Sequence, residues 1–223
     1  MPASACRCSD SGSPRCTRPR TSGGIHAYRS GGTGAPDAHT PRGSAGSPGR
    51  NGSRQVRPPS DPKLSSHGIV DGIILDQYGK RGPMNEYEMP TVSLPLKIED
   101  APANTVSFAL VLEDKDAFPV CGFSWIHWTA ANITKTELQE NESQSTTDFI
   151  QGVNSWISEQ TPIEVCSYYG GMAPPNEPHV YEIHVYALDK MLDLKQGFNY
   201  NELYHQMEGH ILDQATLKGI YNN

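Results

Sequence analysis

Residues Val106–Leu112 read Val-Ser-Phe-Ala-Leu-Val-Leu, with apolar side chains in both phases of the two-residue strand period. A strand of this kind has to be covered on both sides, so the chain needs a sheet with a packing layer over each face. The run passes directly into Glu113-Asp114-Lys115-Asp116, which gathers carboxylates at the strand's C-terminal end. Other short strand-like runs flank it, separated by turns marked by Pro and Gly. They are Leu94–Ile98, Phe123–Ile133 and His179–Leu188, with Leu217–Tyr221 as a last edge strand. Two-residue alternation places Phe123, Trp125, His127 and Thr129 on one face of the second, and His179, Tyr181, Ile183, Val185 and Ala187 on one face of the third, with Glu182 and His184 opposite. The polar stretch 134–162 reads as a long excursion holding a short helical or strand piece near Asp148–Ile157. Asn201–Gln214 reads as a helix capped by Asn201, with Leu203, Met207, Ile211 and Ala215 as its apolar stripe. The pattern predicts a mainly β fold with peripheral helices, a two-sheet antiparallel β-sandwich.

Charge divides the chain in two. Ten of the 18 Lys/Arg but only three of the 25 Asp/Glu fall in residues 1–65, a net of +7, and the remaining eight and 22 leave residues 66–223 at −14. Residues 1–65 are rich in Gly, Ser, Pro and Arg and almost free of Leu, Ile, Val and Phe. Such a composition cannot offset chain entropy by burial, so a disordered tail is expected, followed by one domain at 66–223. The arginines are scattered without interleaved aromatics apart from Tyr28, so nucleic-acid binding is not expected. The acidic domain repels nucleic acid and anionic membranes and favours a basic protein partner, if it works through its surface. No apolar run reaches membrane-span or signal-peptide length, and the expected location is cytoplasmic with no integral membrane association. The five cysteines, Cys6, Cys8, Cys16, Cys121 and Cys166, show neither paired zinc spacing nor a disulfide framework. No cofactor and no metal are expected. A homodimer is possible, although no sequence feature argues for one.

Three features could carry chemistry: Asp114-Lys115-Asp116 before Pro119; Trp125-Ile126-His127-Trp128; and Tyr169-Gly170-Gly171-Met172-Ala173-Pro174-Pro175 before His179 and Tyr181. A histidine beside a carboxylate keeps its proton, and the imidazolium can donate to a phosphate. Gly170 and Gly171 would let backbone N–H groups approach an anion, and Pro174 and Pro175 would stiffen their loop. The same Asp/His set could instead run general acid–base chemistry or hold a divalent metal. No nucleophile stands beside a base: Ser124 points away from His127, and Cys121 and Cys166 have no signature around them. An enzyme, hydrolytic or metal-dependent, and a surface-only interaction module remain the alternatives.

Taken together these strings resemble the phosphatidylethanolamine-binding family, in its bacterial Raf-kinase-inhibitor-like (YbhB/YbcL-type) branch. The resemblance rests on Leu112-Glu113-Asp114-Lys115-Asp116-Ala117-Phe118-Pro119 followed by Trp125-Ile126-His127, and on Tyr169 to Pro175 followed by His179-Val180-Tyr181. Val185-Tyr186-Ala187-Leu188-Asp189 and Gly209-His210-Ile211-Leu212 extend it over residues 66–221. It implies a two-sheet sandwich and a non-enzymatic, regulatory ligand-binding protein, of the kind that modulates kinases or proteases. It also implies a small pocket for phosphate or phosphoethanolamine-type anions, formed by Asp114, Asp116, Trp125, His127, Gly170, Pro174, Pro175, His179 and Tyr181. In it His127 and His179 would face the anion and Asp116 would brace the wall. Two positions depart from the family signature: Lys115 replaces Pro, and Val180 replaces an Arg that ties the acidic wall. Lys115 would then be the nearest source of the missing positive charge.

Overall fold

The computed structural model describes residues 62–223. Of the disordered tail expected at residues 1–65, residues 1–61, with the three cysteines, lie outside the described residues. The domain reaches back past residue 66, because Lys63–Ser65 is already a strand, β1. It is followed by β2 (Ile69–Val70), β3 (Ile73–Ile74), β4 (Leu96–Glu99), β5 (Ser107–Asp114), α1 (Phe118–Cys121) and β6 (Trp125–Ile133). Then come β7 (Glu137–Leu138), β8 (Ile150–Gln151), α2 (Ile163–Cys166), β9 (His179–Leu188), α3 (Tyr200–Met207) and β10 (Ile211–Tyr221).

The strands form two sheets, a small one in the order β1-β4-β7 and a large one in the order β2-β3-β10-β9-β5-β6-β8. Neighbouring strands run antiparallel except β10 and β3, which pair in parallel at Ile220 and Ile73. β5 lies between β9 and β6, as its two apolar faces require. One face carries Phe108, Leu110 and Leu112, which join Ile183 and Val185 of β9 and Leu96, Ile98 and Leu138 of the small sheet in one core. The other face carries Ala109 and Val111, which lie in a second core with Ala131, Leu203 and Met207. The architecture is therefore small sheet, large sheet, then α3. Each fully buried Leu, Val or Phe of β5 contributes on the order of 1.5–3 kcal/mol.

Two expectations fail here, each for a local reason. The helix is Tyr200–Met207 rather than 201–214. Its N-cap is Asn199, whose capping box with Glu202 closes the first turn. It stops before Gly209, whose φ of +77° turns the chain back into the sheet. Ile211 and Ala215, expected on the helix, belong to β10, which is an eleven-residue interior strand between β3 and β9 rather than a short edge strand. His210 is not helical either; it sits in the turn with Nδ1 2.9 Å from Asp189 Oδ1.

The second concerns β6. Leu112 pairs with Trp128 and Glu113 with Ile126, so His127 is the extra residue of a β-bulge. The bulge breaks the alternation. Trp128 and Ala130 enter the first core, while Thr129 pairs with Val111 of the second. Thr129 therefore does not share a face with His127, and Phe123 lies outside the strand. Within 134–162, β7, a turn of 3-10 helix at Glu142–Gln144, and β8 supply the order, β8 falling at the expected short piece.

Candidate functional site

Three strand ends meet where β5 finishes, β6 bulges and β9 begins. Asp114 closes β5 opposite Tyr181, and His179 opens β9. His179 Nδ1 lies 2.7 Å from Asp114 Oδ2, and both side chains are almost wholly buried. The other ring nitrogen, Nε2, faces Asn176 Oδ1 at 3.1 Å. Asp114 Oδ1 accepts from the Ala117 backbone N–H at 3.2 Å, which anchors the turn after β5. His127 packs edge-on to Tyr181, ring centroids 5.2 Å apart, and Tyr181 lies 6.4 Å from the His179 ring. Asp114, His127, His179 and Tyr181 thus form one buried cluster.

The structure divides the two histidines by partner. Only His179 pairs with a carboxylate. His127 Nδ1 lies 2.7 Å from the Gly170 carbonyl, to which its N–H donates. Burial pushes the His127 pKa down; the Asp114 charge and the Gly170 and Gly171 carbonyls pull it up, and His179 pulls it down again. The expected imidazolium is therefore not the favoured state of His127. The consequence for stability has a definite sign. The unfolded ring takes up a proton near pH 6.5 and the folded ring resists it, so stability held above that pH is lost on acidification below it. The slope reaches about 1.4 kcal/mol per pH unit between the two pKa values. Urea denaturation between pH 7.5 and 5.5 is expected to show a shallower loss for His127→Gln than for the parent. An unchanged slope would contradict it.

Tyr181 is fully buried, and its hydroxyl has no hydrogen-bond partner among the described residues. Burial pushes its pKa far above the usual phenol value, and the nearby Asp114 carboxylate adds to the shift without a bond of acceptable geometry. An orphaned buried hydroxyl costs roughly 1–3 kcal/mol, so this one stands out as a group that wants a partner.

The other predicted residues fall into place differently. Asp116 is exposed and braces the start of β9, its Oδ2 accepting from the Val180 N–H at 2.8 Å. That backbone bond holds Asp116 to the start of β9, where position 180 is a valine. Lys115 does not serve the cluster: its Nζ lies 2.6 Å from Glu182 Oε2 and 3.2 Å from Glu113 Oε1. Trp125 is half-buried, stacked on Phe123 and edge-on to Trp156 at 6.0 Å.

The glycines are not anion donors. Gly170 N–H donates to the His127 carbonyl at 2.9 Å and Gly171 N–H to the Pro90 carbonyl at 2.9 Å. What they provide is room. A Cβ on Gly170 would sit 2.5 Å from Trp156 Cδ1, and one on Gly171 would sit 2.3 Å from the Tyr78 carbonyl oxygen. Pro174 is buried and its carbonyl accepts from Lys80 Nζ at 2.6 Å, whereas Pro175 is exposed. Two surface hollows of about 320 and 330 Å³, which share Glu164 and Tyr168, contain none of the nine predicted residues.

The model of the phosphatidylethanolamine-binding protein family matches residues 65–222, which is most of the chain. The chain belongs to the phosphatidylethanolamine-binding protein family. It is 45% identical over 135 residues to YxkA of Bacillus subtilis, covering 58% of this chain and 80% of that protein. A UPF0098 protein of Methanothermobacter thermautotrophicus is 33% identical over 135 residues, with 58% and 82% covered. Among solved structures, a putative phosphatidylethanolamine-binding protein homologue from Chlamydia trachomatis superposes with a TM-score of 0.61 at 27% identity, covering 73% of this chain and 98% of that one. E. coli YbcL superposes with a TM-score of 0.60 at 23% identity over 74% and 99%, a likeness of fold. In this member of the phosphatidylethanolamine-binding family, no helix among the described residues is long and apolar enough to cross a membrane.

Sequence reasoning missed a second group, on the opposite face of the large sheet. Glu113, Glu182 and His184 each present an atom within 4.8 Å of the others. The Glu113 carboxyl is held down at about 2, above all by its bond to His184 and then by Ser124 and Lys115, against its burial. The His184 side chain is only 16% exposed. The signal was available in the outward phase of β9, Glu182 and His184, once β5 is known to pair with it.

Proposed function

We propose that this chain is a non-enzymatic, regulatory ligand-binding protein that acts in the cytoplasm. Its Asp114–His127–His179–Tyr181 cluster takes up one small oxyanion of the phosphate type, free or carried by a headgroup or a phosphorylated side chain. The observation that carries this reading is the buried Tyr181 hydroxyl, unpartnered among the described residues, on a ring that neighbours both histidine rings. In this reading the hydroxyl donates to the oxyanion. Asn176, on the exposed loop 175–178, holds the His179 Nε2 position and is displaced by a ligand oxygen. His127 keeps Nδ1–H on the Gly170 carbonyl and turns Nε2 to the ligand, so uptake of an anion brings a proton with it. Affinity then rises as pH falls.

The groups an enzyme would use support the non-enzymatic reading. Ser124 Oγ donates to Glu113 Oε2 at 2.7 Å, a carboxylate far too weak a base to activate it. Burial pushes the Cys166 thiol up to about 11, away from thiolate reactivity. Cys121 and Cys166 are both free thiols, which suits a reducing compartment.

Calorimetry with inorganic phosphate tests the reading on Tyr181→Phe. The substitution removes no hydrogen bond among the described residues, so the fold is expected to be as stable as the parent or more so. Phosphate affinity is expected to fall about tenfold, the lower end of a hydrogen bond to a charged group. Equal affinity for parent and variant would remove the hydroxyl from the site.

A further inference from the structure

We propose that Glu113, Glu182 and His184 form a zinc-type divalent cation site on the face of the large sheet opposite the oxyanion cluster. The geometry comes from strand register. Glu113 of β5 and Glu182 of β9 are direct cross-strand partners, an arrangement that repels unless a cation lies between the two carboxylates. A cation is there: the Lys115 ammonium contacts Glu182 Oε2 at 2.6 Å and Glu113 Oε1 at 3.2 Å. His184 adds its Nε2, 3.2 Å from Glu113 Oε1 and 3.4 Å from Glu182 Oε2. These separations match the edge of a coordination tetrahedron, about 3.4 Å for bonds of about 2.1 Å. One nitrogen and two carboxylate oxygens suit zinc, with water completing the shell.

The outer shell is already in place, which distinguishes this group from a loose patch of acids. His184 and Thr216 are partners across β9 and β10, with Nδ1 2.8 Å from Thr216 Oγ1. If Nδ1–H donates there, Nε2 is left as the lone-pair nitrogen a metal requires. Ser124 Oγ holds Glu113 Oε2 at 2.7 Å, and Lys218 Nζ holds Glu182 Oε1 at 2.7 Å. Each ligand residue is thus fixed at one atom and presents the other to the same point. The three side chains are 13%, 15% and 16% exposed, whereas Lys115 is 51% exposed and free to swing into solvent. Lys115 is therefore a displaceable cation, and zinc takes the place of its ammonium and binds the lone pair of His184 Nε2.

The test is calorimetric titration of the full chain with zinc at pH 7.5, in a background with Cys6, Cys8 and Cys16 replaced by Ser so that those thiols take no metal. One zinc ion is expected to bind, and His184→Ala is expected to weaken binding by roughly 10–100-fold. Lys115→Met alters only an exposed side chain and keeps the test independent of folding. It is expected to tighten zinc binding roughly tenfold by removing the competing charge. His127→Ala, on the other face, is expected to leave zinc affinity unchanged. Zinc affinity insensitive to both His184→Ala and Lys115→Met overturns the proposal, as does weaker binding in Lys115→Met.

Discussion

Replacing Asp114 by Ala is expected to lower stability by roughly 3–5 kcal/mol, the cost of removing one partner from a buried pair. The side chain makes two bonds that nothing else can make. Its Oδ2 meets His179 Nδ1 at 2.7 Å, and its Oδ1 accepts from Ala117 N–H at 3.2 Å. Both side chains of the pair are at most 5% exposed, so water cannot substitute without opening the end of the sheet. Equilibrium urea denaturation monitors the loss. A fall below about 1 kcal/mol would mean that the pair is readily hydrated, and the cluster would then be a surface feature rather than a built one.

Trp128→Ala is expected to cost about 3–5 kcal/mol, against roughly 1–2 kcal/mol for Trp125→Ala two strand positions before the bulge. Trp128 is 1% exposed, packs edge-on to Tyr169 at 5.6 Å, and its Nε1–H donates to Gln151 Oε1 at 2.8 Å. Gln151 also accepts from Ser143 Oγ, so truncation leaves a cavity and unsettles a buried polar chain. Trp125 is half-buried beside Phe123, which is 44% exposed. Thermal and urea unfolding of the two variants separates core from rim. Equal losses would contradict the bulge at His127, because the bulge is what sends Trp128 inward beside a buried His127.

What the sequence disclosed follows from whether local pattern or pairing decides each feature. β5 and β9 are legible because continuous or alternating apolar residues state their own burial, and β9 begins and ends at His179 and Leu188 as expected. β10 was hidden by a coincidence of spacing. Leu203, Met207 and Ile211 recur every four residues as on a helix, yet Ala215, Leu217, Gly219 and Tyr221 alternate as in a strand, and Gly209 marks the break between them. The bulge at His127 depends on the register of β6 against β5, which no local pattern encodes.

The site divides in the same way. Asp114, His127, His179 and Tyr181 meet because strand ends from one sheet converge, and a carboxylate following one apolar run and a histidine opening another already suggested it. The roles of Gly170 and Gly171 were not legible, because their N–H groups are taken by His127 and Pro90, from distant parts of the chain. Lys115 was assigned to the oxyanion cluster because it is adjacent in sequence to Asp114. A strand sends neighbouring residues to opposite faces, and the lysine follows Glu113 toward Glu182.

The most direct measurement is the response of the histidine ring signals of the full chain to inorganic phosphate and phosphoethanolamine, followed by NMR near pH 6.5. The signals of His127 and His179 are expected to shift together and saturably, while His184, on the opposite face, stays in place; His127→Ala is expected to abolish the response of His179. If neither ring responds to ligand at concentrations up to tens of millimolar, the cluster is a structural end-piece of the sheet and not an oxyanion site.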